Sequence, residues 1–414
     1  MSFKLFNKKI LYYGAGQAFN LLAPLIVAPY LIKTCNLEGF GKVGTAFAFS
    51  LFLILIVDYG FDMKGIKTVS ELRNNQYLVQ KKLIEALFTK AILFFVALAI
   101  GLLLIFTLFS EEKTMFLLTL MIVFAQVFNP TWFLLGIENF EASSVLNILS
   151  KSLYLLFIFV FVKTEANYIY VNFFLGLSAF FVNLLGLIYL FRRYHFKLFI
   201  PKMIDIREVL KQDFSLCLSQ LFLSIKQISP IFIISFLFGY YITGQYKLID
   251  QLISFFRSLT QVFLKFFYPK LCLEMIDDKK FALNFWKKYT FFLFSIVLLL
   301  LILILFFSKD VLLFFNVKSN NIYPLIYAFQ ASLLIPLLLV LVTALEQLMF
   351  IVQENKTYLK TIFYITFFNI FTILVFTQYW PLYGVIGAII LSEILFIIFY
   401  YYLAYKKVKS LIHV

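Results

Sequence analysis

Lys247, Asp250, Gln251, Ser254, Arg257, Ser258, Gln261 and Lys265 recur every three or four residues through a stretch that is otherwise apolar and aromatic. On a helix that spacing gathers them on one face, while Ile253, Phe255, Phe256, Leu259, Val262 and Phe263 cover much of the rest. In lipid, a charge at mid-bilayer costs roughly 2.5–3.5 kcal/mol on insertion scales, so such a face must border water or partners. Its cations outnumber its one carboxylate. The chemistry on offer is retention by charge and hydrogen bonding, and it suits an anionic or sugar-bearing molecule better than a lipophilic cation.

Weaker rows lie elsewhere. Gln212, Ser219 and Lys226 are seven apart, with Asp213, Gln220 and Gln227 on the adjoining row. Tyr13, Gln17 and Asn20 form another, as do Ser144, Asn147, Lys151 and Tyr154. The candidate binding cations are therefore Lys226, Arg257, Lys247, Lys265 and Lys151. Gln17, Asn20, Gln220, Gln227, Gln251, Ser254 and Gln261 are the candidate hydrogen-bonding groups. Each has a plainer reading. Lys247 and Lys265 can snorkel to headgroups, Asp250 and Arg257 can neutralise each other, and Lys226 can pair with a carboxylate from another span. Asp58, Asp62 and Asp250 are candidates for coupling or gating. With Lys64 and Lys67 alongside, Asp58 and Asp62 also read as a solvated helix end. Glu346 and Glu393 read either as buried coupling carboxylates or, more plainly, as interhelical hydrogen-bonding groups. Pro24, Pro29, Pro130, Pro230 and Pro336 each free a carbonyl and bend their helix, and Pro24, Pro29, Pro230 and Pro336 are the candidate hinges.

The elements that carry these residues are membrane spans. With 414 residues, 63% of them hydrophobic, 20% aromatic and 14% charged, the chain departs from soluble composition. A crossing needs about 20 mainly apolar residues, and about twelve stretches qualify. Among them are Ile10 to Lys33, Lys42 to Phe61, Leu210 to Phe238 and Ile242 to Phe267. The expected fold class is an all-α polytopic membrane protein. Counted outside the spans, about 24 Lys and Arg fall in one set of gaps and about six in the other. The positive-inside rule then puts both termini in the cytoplasm. The net charge of +15 follows from topology and anionic lipid, with no nucleic-acid partner. The run Lys4, Lys8, Lys9 leads into a full-length span without a small-residue cleavage site, so that span is expected to stay in the protein.

The charged gap at 192–211 reads as a cytoplasmic linker between an N-terminal six-helix bundle (1–197) and a C-terminal one (205–414). An offset of 203 residues pairs Gln17 with Gln220 and Gly41 with Gly244, a hint of one unit used twice. Cys35, Cys217 and Cys272 match no ligand spacing, so no metal and no cofactor is expected. Gly39, Gly41 and Gly44 satisfy a dinucleotide-type glycine pattern but sit in a turn between spans, and Asn355, Lys356, Thr357 falls on the cytoplasmic side. With no gap above about twenty residues, there is no room for a catalytic domain, and an enzyme is not expected.

Several strings resemble the O-antigen flippases, in the polysaccharide transporter family of the superfamily that also holds the multidrug extruders. "LLAPLIVAPYLIKTCNLEGFGKVGTAFAF" and "LIVDYGFDMKGIK" are similar to that family's opening, and "FNPTWFLLGIENF" (Phe128 to Phe140) to its Pro-x-Trp-Phe-x-x-Gly-Ile-Glu signature. "FLFGYYITGQYKLIDQLISFFRSLTQVFLKFFYPKL" resembles its seventh and eighth helices, and "YGVIGAIILSEILF" its last. The resemblance implies two six-helix bundles around a central V-shaped cavity, in the bacterial inner membrane. It implies a flippase that carries a polyprenyl-diphosphate-linked oligosaccharide, an O-antigen or capsular repeat unit, from the cytoplasmic to the periplasmic leaflet by alternating access. The implied partners are that glycan, membrane lipid, and polysaccharide polymerase and chain-length proteins. An ion-coupled antiporter of drugs or other small molecules is the competing expectation.

Overall fold

A computed structural model describes residues 3–317, 322–351 and 355–405. The described residues are helical with short connections. In order they form α1 (Phe3–Asp58), α2 (Ile66–Leu72), α3 (Gln76–Leu108), α4 (Lys113–Val127), α5 (Thr131–Gly136), α6 (Phe140–Phe161), α7 (Val171–Arg193), α8 (Met203–Asp277), α9 (Lys279–Phe306), α10 (Ser308–Phe314), α11 (Ile322–Ser332), α12 (Leu334–Ile351), α13 (Asn355–Thr377) and α14 (Pro381–Tyr400). Among the described residues ten stretches are long and apolar enough to cross a membrane, and the protein is a multi-pass membrane protein.

Two of the ten are of double length. Gly16–Asp58 has 43 residues and Ser224–Tyr268 has 45, about 65 Å each at 1.5 Å per residue. Each is broken at one residue, α1 at Asn36 (φ 57°, ψ 179°) and α8 at Gly239 (φ 76°, ψ 177°). Asn36 is held there by its side chain, whose Oδ1 accepts from the Gly39 N–H at 2.9 Å and whose Nδ2 donates to Glu165. The helix therefore restarts with its first turn capped. The proline positions differ among themselves. Pro336 follows a break at Leu333 between α11 and α12, and Pro130 caps the start of α5 after a break that ends α4, whereas Pro24 and Pro29 in α1 and Pro230 in α8 lie within helix, away from the breaks at Asn36 and Gly239.

The chain divides into two compact units, Met1–Ser224 and Ile225–Val414. In the first, α1 packs on α6 and α4 packs on α7. Helix α3 shows how the sequence chooses its face. Val79, Leu83, Ala86, Lys90, Leu93, Ala97, Gly101 and Ile105 recur every three or four residues and are buried, while Ile92, Phe95, Val96, Leu103 and Phe106 point out. Small residues at Ala97 and Gly101 let the backbones approach; a Cβ on Gly101 would stand 2.9 Å from Leu53. The large apolar side chains are left for lipid. In the second unit α13 and α12 both pack on α14, and Trp286 of α9 donates to the Ala344 carbonyl of α12 at 3.0 Å.

The segment after α7 is tied to the first unit. Gln76 and Gln80 donate to the carbonyls of Tyr194 and Lys197, each at 2.5 Å. Tyr59 donates to the Leu210 carbonyl at 3.0 Å, Lys81 pairs with Asp205 at 3.0 Å, and Ile206 is buried.

Candidate functional site

Each unit holds an ion pair deep among its helices. In the first, Lys90 Nζ lies 2.7 Å from Asp58 Oδ1, and Gln126 donates to Asp58 Oδ2 at 2.7 Å. Asn129 in turn donates to Gln126 Oε1 at 3.3 Å. The ammonium also faces the rings of Phe61 and Trp132, at 5.5 and 5.9 Å from their centroids. Lys90 is 1% exposed and Asp58 7%. The solvated helix end expected at Asp58 is therefore corrected to a buried pair, because Lys90 of α3 and Gln126 of α4 meet its carboxylate where α1 ends at the Tyr59 (φ 46°) and Gly60 (φ 90°) turn. Asp62, one turn on, reaches the surface.

Around this pair two of the family-like strings meet. Phe61 packs on Trp132 with centroids 5.5 Å apart. A Cβ on Gly65 would stand 2.8 Å from the Trp132 ring, and one on Gly136 would stand 2.7 Å from Val69 Cβ. Arg73 closes the corner by pairing with Glu138. Glu85, 2% exposed, pairs with Lys82 at 2.7 Å and Lys81 at 3.5 Å.

In the second unit Lys226 Nζ lies 2.7 Å from Glu393 Oε1 of α14 and 4.0 Å from the Phe396 ring centroid. Glu393 Oε2 is buried and takes no hydrogen bond from the described residues. Glu346 lies within electrostatic reach of both groups, and next to Glu393 the Ser392 hydroxyl accepts from Asn369 at 2.8 Å. The polar face of α8 is drawn together locally. Lys247 pairs with Asp250 at 3.3 Å, Arg257 donates to Ser254 Oγ at 3.4 Å, and Gln251 presents a buried amide nitrogen without an acceptor among the described residues.

The remaining sequence candidates are spread out. Gln17 and Asn20 of α1 and Lys151 of α6 are half-buried on helices that pack together, and Gln227 and Gln261 are exposed. Pro230 and Pro336 are buried, Pro29 likewise, and Pro24 is exposed. The side chains of Gln220 and Lys265 lie outside the described residues. Lys226 and Arg257 have separate partners, Glu393 and Ser254. Sequence reasoning missed Lys90, Gln126 and Glu85. The signal was a lysine inside an apolar run, "EALFTKAILFF", whose charge required a partner.

A family model for polysaccharide biosynthesis proteins matches residues 6–271. The chain belongs to that family. It is a family of transporters, not of enzymes. The match takes in α1 with its kink, the Asp58 and Lys90 pair, the Trp132 corner and the polar face of α8. Two curated relatives are each described as a "Putative O-antigen transporter". One, from Escherichia coli (strain K12), is 19% identical over 66% of this chain and 66% of its own length. The other, from Shigella dysenteriae, is 24% identical over 59% of this chain and 62% of its own. The chain thus matches a little under two thirds of either relative. Among solved structures, an inward-facing multidrug resistance MATE family transporter of the MOP superfamily superposes with TM-score 0.71 at 14% identity, covering 94% of this chain and 98% of that one. The MATE multidrug transporter DinF-BH gives TM-score 0.64 at 15% identity, covering 98% and 96%. The family member described here has the helical fold of those transporters.

Proposed function

We propose that the chain is a flippase moving a polyprenyl-diphosphate-linked oligosaccharide from the cytoplasmic to the periplasmic leaflet of a bacterial inner membrane by alternating access. Membership of the polysaccharide biosynthesis family supports the cargo class, and the names of both curated relatives point the same way. The observation that carries the reading is the polar face of α8, where Lys247, Gln251, Ser254 and Arg257 lie at helical spacing on a span otherwise fit for lipid. Cations there suit a diphosphate or acidic sugar, and the amides suit hydroxyl groups. Gln17, Asn20, Lys151, Gln227, Gln261 and Lys265 are proposed as further contacts, and Asp250 as a coupling group. The head group would cross wet while the tail stays in lipid.

On this reading the breaks at Asn36 and Gly239 each divide a double-length stretch into two crossings, which would give twelve crossings in two halves of six. An even number of crossings fits both termini in the cytoplasm. The fold of the multidrug transporters keeps a second reading in view, an ion-coupled drug antiporter. The surplus of cations over carboxylates along α8 argues against a cationic drug as cargo.

The test is complementation. In a strain lacking its own exporter of lipid-linked glycan, the chain should restore surface polysaccharide, and Lys247→Gln with Arg257→Gln should reduce it at equal protein level. Drug resistance without polysaccharide, or a double variant as active as the parent, would defeat the reading.

A further inference from the structure

A cavity of about 110 Å³ opens at the Tyr59 to Gly65 turn of the first unit, and its lining includes the polar Lys64, Lys82 and Thr68 and the apolar Phe61, Trp132 and Val209. We infer that this cavity receives the phosphate-bearing end of an amphiphile, with two ammonium groups for the anion and the aromatic wall for the first carbons of its chain. On the proposed function, the amphiphile is the prenyl diphosphate of the lipid-linked glycan, met at the cytoplasmic surface before translocation.

The lining supports an anion. It contains two lysines and a threonine hydroxyl and no carboxylate. Lys82 is held in place from the side by Glu85 at 2.7 Å, and an ammonium has three donors, so the ion pair leaves others for a ligand. The Asp58 and Lys90 pair beside Trp132 is neutral as a unit.

The lining also argues against a fully solvated anion. A site for free phosphate needs donors all round, yet half of this one is ring and branched carbon. The walls are fixed, because Gly65 fits against Trp132 and Gly136 against Val69 with no room for a methyl group. Val209 comes from the segment tied down by Asp205 and Leu210. The two strings that resemble a family signature thus meet at a built cavity, which the polar face of α8 does not explain.

Trp132 supplies the readout. The full chain carrying Trp286→Phe and Trp380→Phe is placed in nanodiscs of zwitterionic lipid, its fold checked by thermal unfolding, and titrated with farnesyl diphosphate and separately with inorganic pyrophosphate. A saturable change in Trp132 fluorescence is expected with farnesyl diphosphate. Lys64→Gln with Lys82→Gln should weaken it about tenfold or more, and Lys64→Arg with Lys82→Arg should largely keep it. Pyrophosphate saturating the same signal supports the anion half of the site and makes free phosphate a competing source, and weaker binding by pyrophosphate assigns the chain to the aromatic wall. No saturable response to either probe, or equal affinity in the glutamine variant, overturns the inference. Surface polysaccharide is scored separately, so failure of the cavity and failure of the transport reading give different results.

Discussion

Asn36 and Gly239 stand 203 residues apart and adopt one backbone conformation, φ 57° and ψ 179° against φ 76° and ψ 177°. The offset is the one that pairs Gln17 with Gln220 and Gly41 with Gly244 in the sequence, so the break in the first long helix recurs in the second. Side chains are disfavoured there, at about 1–3 kcal/mol for a non-glycine residue. Asn36 offsets this with its hydrogen bonds to Gly39 and Glu165.

A Cβ added at Gly239 would meet no atom within 4 Å, so Gly239→Ala changes conformation cost alone. We expect a loss of about 1–3 kcal/mol of stability, read as a lower thermal midpoint in detergent with folded protein still recovered. An unchanged midpoint would mean the break is not strained.

Lys90→Met should be among the most damaging single changes in the first unit. It leaves the Asp58 carboxylate buried against Gln126, and removing one member of a buried pair costs about 3–5 kcal/mol. Asp58→Asn together with Lys90→Met should recover much of that loss. Protein yield and thermal midpoint measure both, and a double variant as weak as the single would refute pairing as the cause.

Lys226 and Glu393 permit the same cycle with a second readout. Glu393→Gln or Lys226→Gln alone should lower stability, and Lys226→Met with Glu393→Leu should restore it. If the pair serves structure only, the restored protein also exports polysaccharide. If Lys226 binds cargo, export stays lost at normal protein level.

The turn that follows α1 carries a pH dependence. The neighbouring Asp58 carboxylate pushes Asp62 up to about 7, with Lys90 opposing. A raised carboxyl holds its proton more tightly folded than unfolded, so its contribution to stability is present at low pH and is lost as pH rises toward 7. Asp62→Asn should flatten that part of the stability curve between roughly pH 4 and 7. A slope unaltered by the substitution would place its origin elsewhere.

Much of this was legible in the sequence because lipid imposes simple rules. Span length, the lysine asymmetry and the spacing from Lys247 to Lys265 need only hydropathy and the helical period. The two breaks were not legible as single residues, since Asn36 and Gly239 resemble any turn residue until the helices beside them are seen to continue. Pairing was harder still. Nothing local to Lys90 names Asp58, which lies 32 residues away, and nothing local to Lys226 prefers Glu393 to Glu346. Such partners are chosen by packing, through contacts as small as Gly101 against Leu53. Proline was an unreliable guide for the same reason: α1 absorbs Pro24 and Pro29 without a break, while the chain breaks just before Pro336.

The belt from Tyr194 to Leu210 is fastened largely through carbonyl oxygens, taken by Gln76, Gln80 and Tyr59. A carbonyl is common to all twenty amino acids. Substitutions at Tyr194, Lys197 or Leu210 therefore leave those fastenings in place, while losing the glutamines or the tyrosine releases them. Divergence among relatives in this stretch need not signal a loosened strap, and the anchor points to watch are on the other side of the contact.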